Sequence, residues 1–271
     1  MGYPLPQPRA FFAWRIAENY SENTSENYSE KGKEQFVLPD FSWSEAPSPL
    51  LSEFLAFLQK WSRLTRNFPF VQQIFLANSL SFNGLKADSD LDLFVITKKG
   101  RIRTARLMMS LMMLFFGIKR TANAERKRFC LSFFVDEEHS ELEKLLLHEQ
   151  DVYLPYWIAH LVPWYQEQRS EAVFQKNAWI SRFLPHFQAQ QMISLGVQVQ
   201  TGKGGWKSFW ELVLGGRIGT VVEKWIKRLW LPRMESLKKK NPELHQGILI
   251  EEGILKFHYD QRQKYSDLFF S

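Results

Sequence analysis

Apolar residues spaced three and four apart mark the first clear element. Leu50, Leu51, Phe54, Leu55, Leu58, Trp61 and Leu64 form one stripe. The stripe predicts an amphipathic helix over residues 48–67, opened by Ser48 and Pro49 and closed before Pro69. Next comes a β-rich apolar run over 70–77 (FVQQIFLA). A polar loop with glycine follows over 78–89, and then an apolar strand over 91–97 (LDLFVIT). After the Lys98-Lys99-Gly100 turn, 101–117 reads as a strongly apolar helix and 129–135 (FCLSFFV) as a third strand. A short helix capped by Ser140 is expected over 140–148.

Beyond residue 150 the pattern turns mainly helical. Helices are expected over 167–184, 206–214 and 221–240, the last interrupted by Pro232. Another is expected over 244–257, with a further one in the tail, while 197–205 reads as a loop. Residues 18–30 (ENYSENTSENYSE) are a polar near-repeat of low complexity. The organisation expected is an N-terminal extension over 1–47, an α/β core over 48–150 and a helical region over 151–271. The fold class is α+β, a small mixed sheet with flanking helices.

Composition narrows the class. Apolar residues make up 45% of the 271 and charged residues 24%, enough to bury a core and to exclude wholesale disorder. Cys130 is the only cysteine, so a disulfide scaffold and a cysteine-based zinc cluster are excluded. Met1 to Arg9 lacks the apolar run of a signal peptide, so a cytoplasmic protein is expected. The most apolar stretch, 107–118, would span roughly 18 Å as a helix, short of the about 30 Å of a bilayer core, so no membrane span is expected.

The net charge of +6 is unevenly placed. Residues 98–128 hold ten basic residues and one acid, and residues 216–240 hold eight basic and two acidic ones. Such blocks attract phosphate, on a nucleotide or a nucleic acid, or are simply solvated helix faces. Residues 225–240 offer the same choice. They present either a basic, aromatic face to RNA or single-stranded DNA, or a helix that packs its tryptophans on the core and leaves lysines in water.

Candidate chemistry centres on residues 75–97. Asp90 and Asp92 stand one residue apart at the head of an apolar strand, so period-two alternation puts both carboxylates on one side. A hard divalent cation would relieve their repulsion, and Mg²⁺ takes one or two carboxylates together with phosphate oxygens. Asn78-Ser79 ends the preceding strand, with a small hydroxyl and backbone N–H groups suited to phosphate. Gly202-Lys203-Gly204-Gly205 lacks the spacing and the Ser/Thr of a phosphate-binding P-loop. The six histidines show no paired metal-ligand spacing.

Ala77-Asn78-Ser79, then ten residues, then Asp90-Leu91-Asp92-Leu93 resembles the signature of the DNA polymerase β-like nucleotidyltransferase superfamily. The likeness covers about residues 48–136. The runs SDLDLFVITKKGRIRTARLMM, FCLSFFVDEE and KFHYDQR are similar to a bacterial group of uncharacterised nucleotidyltransferase-like proteins. The resemblance implies Mg²⁺ held by Asp90 and Asp92, and the phosphates of a nucleoside triphosphate held by Asn78 and Ser79, with Lys86 and Lys98 as further contacts. It implies transfer of a nucleoside monophosphate to a hydroxyl acceptor, whether RNA, protein or small molecule. Asn78 replaces the family's glycine. The family's third carboxylate lies mid-strand on the next core strand, where this sequence offers only Ser132. Asp136, four residues on with the same alternation parity, is the displaced substitute. Without it, the same fold would serve as a binding module for nucleotide, RNA or protein.

Overall fold

The computed structural model describes residues 48–257 except 83, 122, 150, 152, 169–170, 185–194 and 241–247. The extension over 1–47, with its repeat, and the tail helix lie outside the described residues.

The centre of the fold is strand β2 (Leu91–Thr97), buried at all seven positions. A strand with no solvent face reads as an unbroken apolar run, and LDLFVIT is one apart from its single acid. Strand β1 (Val71–Ala77) pairs with it antiparallel. Strand β3 (Phe129–Asp136) pairs on the other side in parallel. Parallel neighbours need a long crossover, which helix α2 (Ile102–Phe115) supplies. Helix α1 (Leu51–Thr65) precedes β1, as its apolar stripe predicts.

Alternate positions of β2 feed two cores. Leu91, Leu93 and Val95 pack with Phe54 and Leu58 of α1 and with Met109 and Met113 of α2. Phe94 and Ile96 face the other way. They pack with Phe75, Phe133, Trp157 and Ile158 of helix α3 (Tyr153–Ala159), and Phe174 of helix α4 (Ala172–Lys176). The sheet is therefore the middle of three layers, in an α+β arrangement.

The region beyond residue 150 supplies helices, as expected, and also four strands. Strand β4 (Val162–Gln166) pairs with β1, and β5 (Gln200–Thr201), inside the segment expected as a loop, pairs with β4. Strands β6 (Leu249–Glu251) and β7 (Ile254–Lys256) close the opposite edge against β3. The mixed sheet has seven strands in the order β5-β4-β1-β2-β3-β7-β6. The helix expected over 244–257 is thus a hairpin in its described part. It turns at Gly253, whose φ of 72° suits glycine, and it covers an edge of β3 that would otherwise be bare.

Two more expected helices are shortened. The one over 140–148 is a single 3₁₀ turn, Glu143–Leu145. The one over 167–184 breaks at Asn177 into α4 and a 3₁₀ turn, Ala178–Arg182. One cause serves both. The buried Asn177 amide accepts the Leu142 N–H at 2.8 Å and donates to Ser140 O at 2.8 Å, so it holds the two segments together as loops.

Helix α5 (Gly205–Leu214) and helix α6 (Arg217–Lys240) form a helical hairpin, with α6 continuous through Pro232. No helix of the described residues is long and apolar enough to cross a membrane.

Candidate functional site

The chain leaves β1 through Asn78, whose φ of 56° lies in the left-handed region. After glycine, asparagine tolerates that backbone best, so it can make the family's glycine turn. It does more than turn. Its Nδ2 donates to Asp92 Oδ2 at 2.9 Å, and its Oδ1 accepts the Trp157 indole N–H at 2.9 Å. Asp92 is only 6% exposed, and Asn78 is buried beside it. Ser79 follows, half-buried, and its carbonyl accepts the Gly84 N–H at 2.8 Å.

Asp90 and Asp92 do converge. Their carboxylates and the Cys130 thiol form a cluster in which the nearest ligand atoms all lie within 4.8 Å of one another. Cys130 is there because the β3 register sets it directly opposite Asp92. The register then slips. Asp92 pairs with Cys130, but Phe94 pairs with Phe133, so β3 carries one extra residue at this point. The bulge also brings Ser132 Oγ to 3.4 Å from Asp92 Oδ1.

The bulge reverses the side-chain parity of β3 downstream, which corrects the expectation for Asp136. Phe133 and Val135 join the core on the Phe94 side, while Phe134 joins the other core. By the same alternation Asp136 falls on the face opposite Asp92. It also pairs with Thr97, five residues along β2 from Asp92, roughly 16 Å away at about 3.3 Å per residue. There it bonds His139 Nδ1 at 2.6 Å and accepts the N–H groups of Glu138 and His139, each at 3.1 Å. Lys98 is likewise at the far end of β2, ion-paired with Glu211 at 2.8 Å. Lys86 is an exposed loop residue whose N–H donates to Ser89 Oγ at 2.8 Å. Asp90, Asp92 and Asn78 are therefore brought together, with Ser79 adjoining in the chain. Asp136 and Lys98 are not.

Arg120 is the partner that the sequence reading missed. Its Nη1 lies 3.0 Å from Asp90 Oδ2, and Nη2 is 3.0 Å from Glu125. Partial burial works against its charge, but the Glu125 hydrogen bond and the Asp90 carboxylate outweigh that and raise its pKa. Nη1 also points at Cys130 Sγ, 3.8 Å away. Burial pushes the Cys130 thiol well up, and the charges of Asp92 and Asp90 push it further. The thiol therefore resists ionisation, which makes it a weak nucleophile. Arg120 sits in the first basic block, but nothing local sets it apart from the nine other cations there.

Two of the three clustered donors suit Mg²⁺ and one does not. Mg²⁺ takes oxygen ligands in strict octahedral geometry, whereas thiols select softer metals. Here the third position is sulfur, and a fixed guanidinium already neutralises one carboxylate.

A second charged cluster lies at the other end of β1 and β2. Lys207 of α5 is 0% exposed. Its Nζ meets Glu167 at 2.6 Å, the Tyr165 hydroxyl at 3.0 Å and the carbonyl of Val71. Burial lowers its pKa, against the pull of Glu167. Glu211, one helical turn on, accepts Lys98, Lys203 and the Phe70 N–H. Burial alone would raise its pKa, but the lysines bring it below the usual carboxylate value.

No family model matches the chain, and no curated protein matches it. Among solved structures, it is similar to one described as a crystal structure of a toxin-antitoxin with AMP-PNP, at 14% identity and a TM-score of 0.26. That match covers 52% of this chain and 91% of the other. So loose a likeness fixes neither fold nor function.

Proposed function

We propose that the chain is a nucleotidyltransferase-like binding module, which takes nucleotide at the Asn78–Ser79 turn and has lost efficient transfer. The observation that carries this reading is that β3 sets Cys130 and Ser132 beside Asp92, while its own acid, Asp136, falls on the opposite face and away from the pair. Transfer chemistry of that kind draws on acidic side chains for charge neutralisation and for removal of a proton from the acceptor hydroxyl. A thiol and a hydroxyl bring no negative charge for either task. Arg120 supports the same reading, since it gives Asp90 the counter-charge that a divalent ion would otherwise supply.

The second reading is Mg²⁺-dependent transfer of a nucleoside monophosphate from a nucleoside triphosphate to a hydroxyl acceptor. The convergence of Asp90 and Asp92 within 4.8 Å favours it.

Calorimetry with each of the four ribonucleoside triphosphates, with and without MgCl₂, tests both, together with release of pyrophosphate from α-labelled nucleotide. Binding without release, weakened by a substitution at Asn78 or Ser79, supports the module. Release that disappears in Asp92→Asn restores the enzyme. No binding of any nucleotide under either condition removes both.

A further inference from the structure

The α5–α6 hairpin turns several of its charged groups inward and much of its apolar surface outward. An ordinary surface helix buries its apolar stripe and exposes its charges. Here charged groups share the inward side with Leu214 and Trp230, which pack against the core. Lys207 and Glu211 fix α5 to the sheet. Glu223 of α6 is buried against the start of α2, accepting the N–H groups of Arg103 and Thr104, each at 2.8 Å, and the Thr104 hydroxyl at 2.6 Å. Arg101 ties down the turn between the helices through the carbonyls of Leu214, Gly215 and Gly216.

Many of the other large apolar side chains face out. On α5 these include Phe209 and Leu212, the latter 84% exposed. On α6, Ile218, Val221, Trp225 and Leu229 recur at spacings of three and four, and Trp225 is 63% exposed. Arg217, Lys224 and Arg228 are also exposed, and their spacings of seven and four set them in one row beside that stripe. Acids are scarce on the outer face. Of the three between 205 and 240, Glu211 and Glu223 point into the body, which leaves Glu235.

We propose that this face of the hairpin lies on an anionic lipid surface, with the α6 stripe and the α5 apolar residues entering the headgroup boundary and the basic row pairing with lipid phosphates. An apolar stripe with tryptophan beside a basic row is the pattern of helices that lie in a membrane interface without spanning it. The branched aliphatic side chains separate this occupant from RNA, which stacks its bases on aromatic and guanidinium planes. The basic row separates it from an antiparallel second copy, since that two-fold contact would set like rows together.

The test uses the full chain with vesicles of phosphatidylcholine alone or mixed two to one with phosphatidylglycerol. Each basic side chain at an anionic surface strengthens binding about five-fold, so the row of three predicts roughly a hundred-fold preference for the mixed vesicles. High salt should erase the preference. Leu212→Glu with Trp225→Glu should abolish binding, and circular dichroism should show the fold retained, since both side chains are exposed. In the unaltered protein, brominated lipid should quench tryptophan fluorescence, a readout that needs no variant. Equal partition onto both vesicles, or binding that survives the double variant, would overturn the proposal. So would a solution dimer that Trp225→Glu splits into monomers, in favour of a second copy.

Discussion

Arg120 occupies the place of a cation, so removing it should create a demand for one. The substitution is Arg120→Gln, which keeps much of the bulk and some donors but no charge. The Arg120–Asp90 pair at 3.0 Å has a gross attraction of about 5 to 6 kcal/mol at an effective dielectric constant of about 20. The guanidinium side chain is 34% exposed, so solvent screening and the cost of desolvation reduce the net loss to roughly 1 to 3 kcal/mol. In the variant, Asp90 and Asp92 face each other within 4.8 Å without the Arg120 charge, a gross repulsion of about 3 to 4 kcal/mol on the same scale. A divalent ion at a hundred times its dissociation constant would then return about 2.7 kcal/mol. Scanning fluorimetry with and without millimolar MgCl₂ or MnCl₂ reads this directly, at roughly 2–4 °C per kcal/mol for a chain of this size. The unaltered protein should melt at the same temperature in both buffers. The variant should melt lower without metal and recover most of the loss with it. If the unaltered protein gains as much from metal as the variant does, Arg120 is not standing in for an ion, and the binding-module reading loses its electrostatic support.

Asn78→Gly should relieve the strain of a positive φ but lose two buried hydrogen bonds, for a net destabilisation of about 1 to 3 kcal/mol by urea unfolding; a more stable variant would contradict it. Lys207→Met should cost about 3 to 5 kcal/mol, because Glu167 and Glu211 lose their buried cation; a loss under about 1 kcal/mol would contradict it. The pH dependence has two limbs. Glu211 has a folded pKa below its usual 4.5, so its contribution is full above that value and fades as pH falls through the lowered one. Lys207 has a folded pKa below its usual 10.5, so the unfolded chain binds more protons there and stability rises with pH over that window. Stability curves measured against pH should show that Lys207→Met abolishes the alkaline rise and starts acid unfolding at a higher pH. Glu223→Gln should cost about 1 to 3 kcal/mol, and hydrogen exchange should rise first at the amides of Arg103 and Thr104; unchanged exchange there would contradict it.

The core elements were legible because their signals are local. The β2 run has the length and apolarity of a strand buried on both faces, and the α1 stripe repeats at the helical period. The acid pair was legible for the same reason, since two residues apart on a strand means one side. The third position was not legible. Alternation carries Ser132 and Asp136 to the same face only if β3 is regular, and the bulge between Cys130 and Phe133 shifts the count by one. Nothing in FCLSFFVD marks that extra residue. The hairpin over 249–256 was missed for a related reason. Its short strands have little pattern of their own and are strands because β3 offers them an unpaired edge.

The α5–α6 hairpin shows most plainly where pattern stops informing. The spacing of Ile218, Val221, Trp225 and Leu229 does give one apolar face, and the ordinary inference is that this face is the buried one. It fails because amphipathicity has no sign until something fixes which side is inward. Here that is decided by groups outside the stripe. The free N–H groups at the start of α2 need an acceptor, and Glu223 lies on the side of α6 away from the stripe. The carbonyl of Val71 and the Tyr165 hydroxyl take Lys207 in the same way. A buried donor or acceptor left without a partner costs about 1 to 3 kcal/mol, comparable to leaving a large apolar side chain in water. Several such groups on one side can therefore outweigh the pull of the stripe on the other. An apolar surface held outward by those contacts is a built feature of the fold, and that is why it calls for an occupant.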